Sequence, residues 1–327
     1  MQTLKAPVQI VCSTAHELFI QVLQAFCDSE EVSSVQDPNS VGSLWGTKER
    51  PTKELRYVTL VLENPRERFV NGSSFLLEDV IPRTLLCTLS DEIDLPSISF
   101  YNPKAVHFSD DGKTVDSNYG YRIRHLGLRN QIEDVIAQLK KDPCSRRAVI
   151  HVHAVGDAEK KYTPCINSLH FLIRNGALEC QSFWRSENAL TLLPTNIFEF
   201  TMLQELIASE LEISVGCYVH SVTSLHYHLE DEEKLHRVLE LLLSKEIPKP
   251  MNAMTFHSLK EIETLRSFEK KLRLQQSEGS EDFFELSDYW KNIGGVIAYA
   301  IAKKRDDLVS MQSWLNDSPW KDLLLRA

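Results

Sequence analysis

SLHFLIRNGALECQSFWRS (Ser168–Ser186) reads as two runs of alternating apolar and polar residues, divided by Asn175-Gly176. Alternation with period two marks half-buried strands, and Asn-Gly supplies the two positive φ angles of a tight hairpin. Immediately downstream, NIFEFTMLQELIASELE (Asn196–Glu212) changes to helical spacing, with Ile197, Phe200, Leu203, Leu206, Ile207 and Leu211 on one side and Asn196 expected at the N-cap. A hairpin running into a long helix, with no regular strand–helix alternation, predicts an α+β domain. The neighbouring segments agree. VQIVC, ELRYVTLVLENP, RAVIHVHAV and CYVHSVTSLHYHL read as strands, whereas AHELFIQVLQAF and NQIEDVIAQLKKDP read as helices. No glycine-rich phosphate loop follows a strand, which argues against a doubly wound nucleotide fold. Three regions are expected: a small appendage at 1–45, a main core at 46–245, and a charge-rich helical region at 246–327 with a break at QQSEGSED.

The 327 residues suffice for a large core, and 43% hydrophobic with 25% charged residues is ordinary globular composition. A formal net charge of −10 excludes a broad basic surface, so non-specific nucleic-acid binding is not expected. No stretch approaches the ~20 uninterrupted apolar residues of a membrane span, and no secretory signal is apparent, so no membrane partner is expected. The 7 irregularly spaced cysteines form neither a disulfide framework nor a metal pattern, and they suggest a reducing cytoplasm.

The candidate chemistry lies between Asp142 and His228. DPCSRRA sets Arg146 beside Arg147, and FWRSEN supplies Arg185 and Ser186. Arginine forks match phosphate oxygens, although exposed arginines are more often merely solvated. Adjacent arginines on a strand point to opposite faces, so one site uses both only in special geometries, such as reaching across a subunit boundary. His151 with His153, and His226 with His228, share strand faces, but no carboxylate or cysteine lies at ligand spacing and no metal site is expected. In KKYTPCINSLHF, Cys165 is either a nucleophile or a small apolar residue opening a buried strand.

Taken in order, SNYGYRIR, DPCSRRAVI, TPCINSLHF, CQSFWRSENALTLLPTNIFEF and YVHSVTSLHYH resemble the thymidylate synthase family, including its nucleotide hydroxymethylases, over about Phe100–Asp231. The resemblance implies a mixed sheet packed with helices and a sheet-to-sheet homodimer in which each subunit donates arginines to the other. It implies that Cys165 adds to C6 of a pyrimidine nucleoside 5′-monophosphate, so that C5 accepts a one-carbon unit from methylenetetrahydrofolate. Arg185 and Ser186 match phosphate ligands, with Arg185 also favouring the thiolate by lowering its pKa. Arg146 and Arg147 match the donated pair, and Arg50 matches a further phosphate arginine. Asn196 matches the residue that reads the pyrimidine edge, leaning towards uracil. His226 matches a sugar ligand, His228 stands where tyrosine is usual, and Tyr119 matches the active-site tyrosine.

Departures concentrate elsewhere. In IPRTLLCTLSDE, Arg83 or Thr84 occupies the place of an expected catalytic carboxylate, with Glu78 and Asp79 as nearby substitutes. Asn188 replaces the folate-contacting aspartate, Leu192 replaces a glycine, AVHFSDDG replaces a tryptophan-bearing segment, and KDLLLRA lacks a closing apolar tail. PCINS looks more like the hydroxymethylase branch. The resulting expectation is hydroxymethyl or methyl transfer to C5, the alternative being a folate-independent nucleotide-binding protein that has lost synthase activity.

Overall fold

A computed structural model describes residues 7–29, 32–33, 51–72, 75–160, 162–276, 279–307, 309–310, 320–321 and 324; Arg50 lies outside them. Its strands are β1 (Gln9–Cys12), β2 (Val32–Ser33), β3 (Thr52–Leu62), β4 (Ala148–His151), β5 (Ile166–Arg174), β6 (Ala177–Trp184), β7 (Glu187–Asn188) and β8 (Ser214–His228). They form one mixed sheet of order β1-β3-β8-β6-β5-β4, with β2 against β3 and β7 against β8. The hairpin predicted at Asn175-Gly176 joins β5 to β6, and both residues adopt the positive φ (51° and 76°) that a primed turn requires.

The α-helices are α1 (Ala15–Cys27), α2 (Leu77–Thr84), α3 (Leu95–Tyr101), α4 (Tyr119–His125), α5 (Gln131–Lys141), α6 (Leu193–Leu211), α7 (Glu232–Leu243), α8 (Leu259–Arg273), α9 (Gly279–Glu285) and α10 (Asp288–Lys304). Thr14 and Asn130 cap α1 and α5 through side-chain oxygens. Asn196 does not cap α6. That helix begins at Leu193 with Pro194 in its first turn, and the Asn196 amide N–H already bonds the Leu192 carbonyl at 2.8 Å. The side chain is thereby freed to point into the protein. α6 is also not one-sided: every residue from Leu193 to Ser209 is buried, because the sheet covers one side and α1, α2 and α5 cover the rest. Phe198 and Phe200 are fully buried in it, each worth on the order of 2 kcal/mol of transfer free energy.

The N-terminal segment expected as an appendage supplies β1, which pairs in parallel with β3 at the edge of the same sheet, and Ile10, Leu18, Phe19 and Val22 join the main core. The C-terminal helices also close on that core: α10 lies against α2, where Lys303 meets Glu78 at 2.7 Å, and Trp290 donates to Ser258 at 2.9 Å. Among the described residues no helix is long and apolar enough to cross a membrane.

Candidate active site

The open end of the β5–β6 hairpin brings Cys165 and Arg185 together. The Arg185 amide N–H donates to the Cys165 carbonyl at 2.9 Å, which extends the ladder one step past Ile166 and Trp184. The Arg185 guanidinium then folds back, with Nε on the Pro164 carbonyl at 3.0 Å and Nη2 on Thr163 at 3.2 Å and on Cys165 Sγ at 3.8 Å. Burial pushes the Cys165 thiol up, Arg185 pulls it down, and Glu187 pushes it up again; the net shift is upward. The low thiol pKa expected from the sequence is therefore absent, because desolvation outweighs one partly exposed cation. Tyr119 opens α4 beside this thiol. Its ring meets Trp184 edge-on at 6.0 Å and Phe200 at 5.6 Å, and burial together with the Cys165 charge raises its hydroxyl well above the usual range.

β7 carries the next residues. Its parallel register sets Asn188 opposite His226, and Ser186 Oγ lies 3.5 Å from His226 Nδ1. Burial lowers the His226 pKa, so the ring is neutral near pH 7 and presents one donor and one acceptor. His226 and His228 meet edge-to-face at 5.8 Å. Asn188 Oδ1 accepts from the Leu190 and Thr191 amides at 3.1 and 3.0 Å, closing the turn into α6. Arg146 and Arg147 are exposed at the start of β4, and no described contact joins their side chains to Cys165 or Arg185 within the chain. His151 is exposed, His153 lies 3.9 Å from Asp157, and among the described residues no three potential metal ligands converge.

Behind these residues lies a buried polar network that the sequence did not reveal. Asn196 Nδ2 donates to Glu187 Oε1 at 2.6 Å, and Glu187 Oε2 meets His220 Nε2 at 2.5 Å. His220 Nδ1 meets the Tyr218 hydroxyl at 3.0 Å, while its ring stacks on Trp184 at 5.0 Å. On the other side, Arg83 Nη2 donates to Asn196 Oδ1 at 3.3 Å and Arg83 Nε to Glu199 Oε1 at 2.6 Å. Glu199 also accepts from Thr88 at 3.0 Å. Burial alone would lower the Arg83 pKa, but Glu199 outweighs it and keeps the guanidinium charged. Thr84, by contrast, turns away and donates to the Val80 carbonyl at 2.7 Å, and Glu78 is engaged by Lys303. One signal for Glu199 did exist: it lies three residues after Asn196, on the same face of a helix.

The backbone that presents Arg83 is unusual. α2 runs into a π-helical turn (Leu85–Leu89), and α4 crosses it so closely that a Cβ on Gly120 would lie 1.8 Å from the Ser90 carbonyl oxygen. The glycine of SNYGYRIR is thus required by contact. Arg124 ties the crossing together by donating to the Thr88, Leu89, Ser90 and Gly120 carbonyls.

A model of the thymidylate synthase family matches residues 90–291. Among curated proteins, the chain is similar to a thymidylate synthase of Mycoplasma pneumoniae, 30% identical over 145 residues (44% of this chain, 49% of the relative). It is 28% identical over 207 residues (58% and 54%) to a deoxyuridylate hydroxymethyltransferase of Bacillus phage SP01. It is 29% identical over 169 residues (47% and 32%) to a bifunctional dihydrofolate reductase-thymidylate synthase of Zea mays. The chain spans about half the length of the first two relatives and about a third of the last.

Proposed function

The chain belongs to the thymidylate synthase family, and on that premise we propose that it transfers a one-carbon unit to C5 of a pyrimidine nucleoside 5′-monophosphate, most readily dUMP. The juxtaposition of Cys165, Arg185 and Asn196 at one end of the sheet supports this reading most strongly. Cys165 attacks C6, and its raised pKa means that the bound nucleotide must favour the thiolate or that a small thiolate fraction does the work. Arg185 and Ser186 hold the phosphate, His226 and His228 the sugar, and Tyr119 lines the pocket beside the thiol. Asn196 offers one donor and one acceptor to the base edge. Methylenetetrahydrofolate supplies the one-carbon unit, with Asn188 assigned to it; Asn188 Oδ1 closes a turn, whereas its Nδ2 donates to no described residue. PCINS, which looks more like the hydroxymethylase branch, favours a hydroxymethyl product.

The working unit in this reading is a homodimer. One sheet face carries Val11, Tyr57 and Phe183 at 49%, 49% and 37% exposure, which suits sheet-to-sheet association, and Arg146 and Arg147 are free to reach a partner's phosphate site. Sedimentation as a monomer at micromolar concentration would contradict it.

A second reading, a folate-independent nucleotide binder, draws on Thr84, whose hydroxyl is spent on the Val80 carbonyl where a carboxylate was expected. Tritium release from C5-labelled dUMP, UMP, dCMP and CMP, with and without methylenetetrahydrofolate, separates the two. Release that requires Cys165 and that folate accelerates, with a one-carbon product, supports the transferase, and product mass then distinguishes methyl from hydroxymethyl. Nucleotide binding with no release from any of the four supports the binder.

A further inference from the structure

We propose that Arg83 contacts the C4 oxygen of a uracil base and stabilises the negative charge that gathers there when Cys165 adds to C6. This rests on the reading above and goes beyond it, because it adds a catalytic and specificity-determining residue. Three observations carry it. First, the guanidinium touches the amide that faces the base: Nη2 donates to Asn196 Oδ1 at 3.3 Å. Second, Nε is held by the fully buried Glu199, yet the Arg83 side chain remains 27% exposed, and Nη1 bonds no described residue. Only two of its five N–H donors are spent on described residues. Third, Arg83 and Cys165 both act electrostatically on the Tyr119 hydroxyl, which places cation and thiol near the same group.

The chemistry follows from those positions. Addition forms the Sγ–C6 bond, breaks the C5–C6 π bond and moves that electron pair through C4 onto O4. No proton moves in this step. The product is an enolate, and a donor-only cation fixed beside O4 stabilises it more than it stabilises the neutral base. Cytosine bears an amino group at C4, so its N–H bonds would face the N–H bonds of Arg83. Glu187 sharpens the discrimination by accepting from Asn196 Nδ2, which fixes the amide with Oδ1 towards Arg83. Glu199 is a positioning residue in this scheme: it aims the guanidinium and keeps it charged.

The adduct can be followed without folate. A deuteron from solvent adds to C5, the original C5 proton leaves to solvent and regenerates the enolate, and collapse re-forms the C5–C6 double bond and expels the thiolate. C5–H exchange in D2O, read by proton NMR, therefore reports enolate formation, while calorimetry gives nucleotide affinity. Arg83→Gln/Glu199→Gln removes both charges, so no buried carboxylate is stranded, and Arg83→Lys keeps the charge without the fork. The double variant is expected to bind dUMP within about threefold of wild type yet to exchange about 10²–10³-fold more slowly, with Arg83→Lys in between. Its preference for dUMP over dCMP is expected to collapse. Exchange at the wild-type rate, or binding and exchange lost in equal proportion, overturns the role of Arg83 while leaving Cys165 in place. Wild-type protein that exchanges none of dUMP, UMP, dCMP or CMP overturns both readings.

Discussion

Helix α6 carries two buried ion pairs that differ in one respect. Glu199 holds Arg83, and Glu205 holds Arg68; both carboxylates are buried, and both arginines come from the chain before the hairpin. Arg68 is sealed at 0% exposure, its Nε on the Pro65 carbonyl at 2.8 Å, and Glu205 also accepts from the Met254 amide at 3.0 Å. Its Nη1 has no hydrogen-bond partner among the described residues, but no ligand can reach it. Arg83 stays 27% exposed and also bonds Asn196. A sealed pair ties segments together, whereas an open one keeps donors for something that arrives later. Since a buried pair is weak support for net stability, access rather than burial separates the two roles.

The contrast can be tested by substitution. Arg68→Ala strands Glu205 inside the protein and is expected to cost about 3–5 kcal/mol of unfolding free energy, measured by urea titration. Gly120→Ala drives a methyl into the Ser90 carbonyl and is expected to cost about 3 kcal/mol by the same titration, since backbone cannot yield as a flexible side chain can. Arg83→Gln should cost less, about 1–3 kcal/mol, because a glutamine amide can still donate to Glu199 and this pair is less completely sealed from water. If Arg83→Gln destabilised as much as Arg68→Ala, the distinction between sealed and open pairs would fail. The smallest effect concerns the thiol. Iodoacetamide should alkylate Cys165 with a midpoint above the ~8.5 of an ordinary thiol, so reactivity at neutral pH is low and rises with pH. Arg185→Ala removes the cation that lowers this pKa, so the midpoint should move further up. A downward shift would mean that Arg185 does not stabilise the thiolate.

The sequence displayed what depends on local pattern. Asn175-Gly176 between alternating runs gave the hairpin, and the hairpin by itself places Cys165 beside Arg185. Tyr119, Ser186, Asn196 and His226 stood out as candidates because they occur in ordered motifs. What stayed hidden depends on distance in the chain. Arg83 reaches Glu199 across 116 positions, and nothing local says that an isolated glutamate in an apolar helix has a partner. α6 looked one-sided because Glu199, Gln204 and Glu205 read as solvent residues, whereas each is buried and bonded. The expected capping role of Asn196 failed for a related reason: Pro194 starts the helix earlier, and the amide is used by Arg83 and Glu187 instead.

A crystal structure of the protein with dUMP bound tests the account most directly. The account predicts the phosphate on Arg185 and Ser186, C6 of the base within about 3.5 Å of Cys165 Sγ, and the C4 oxygen on an Arg83 N–H. A base turned away from Cys165, or a C4 oxygen that meets only solvent while Arg83 keeps its present partners, would contradict it.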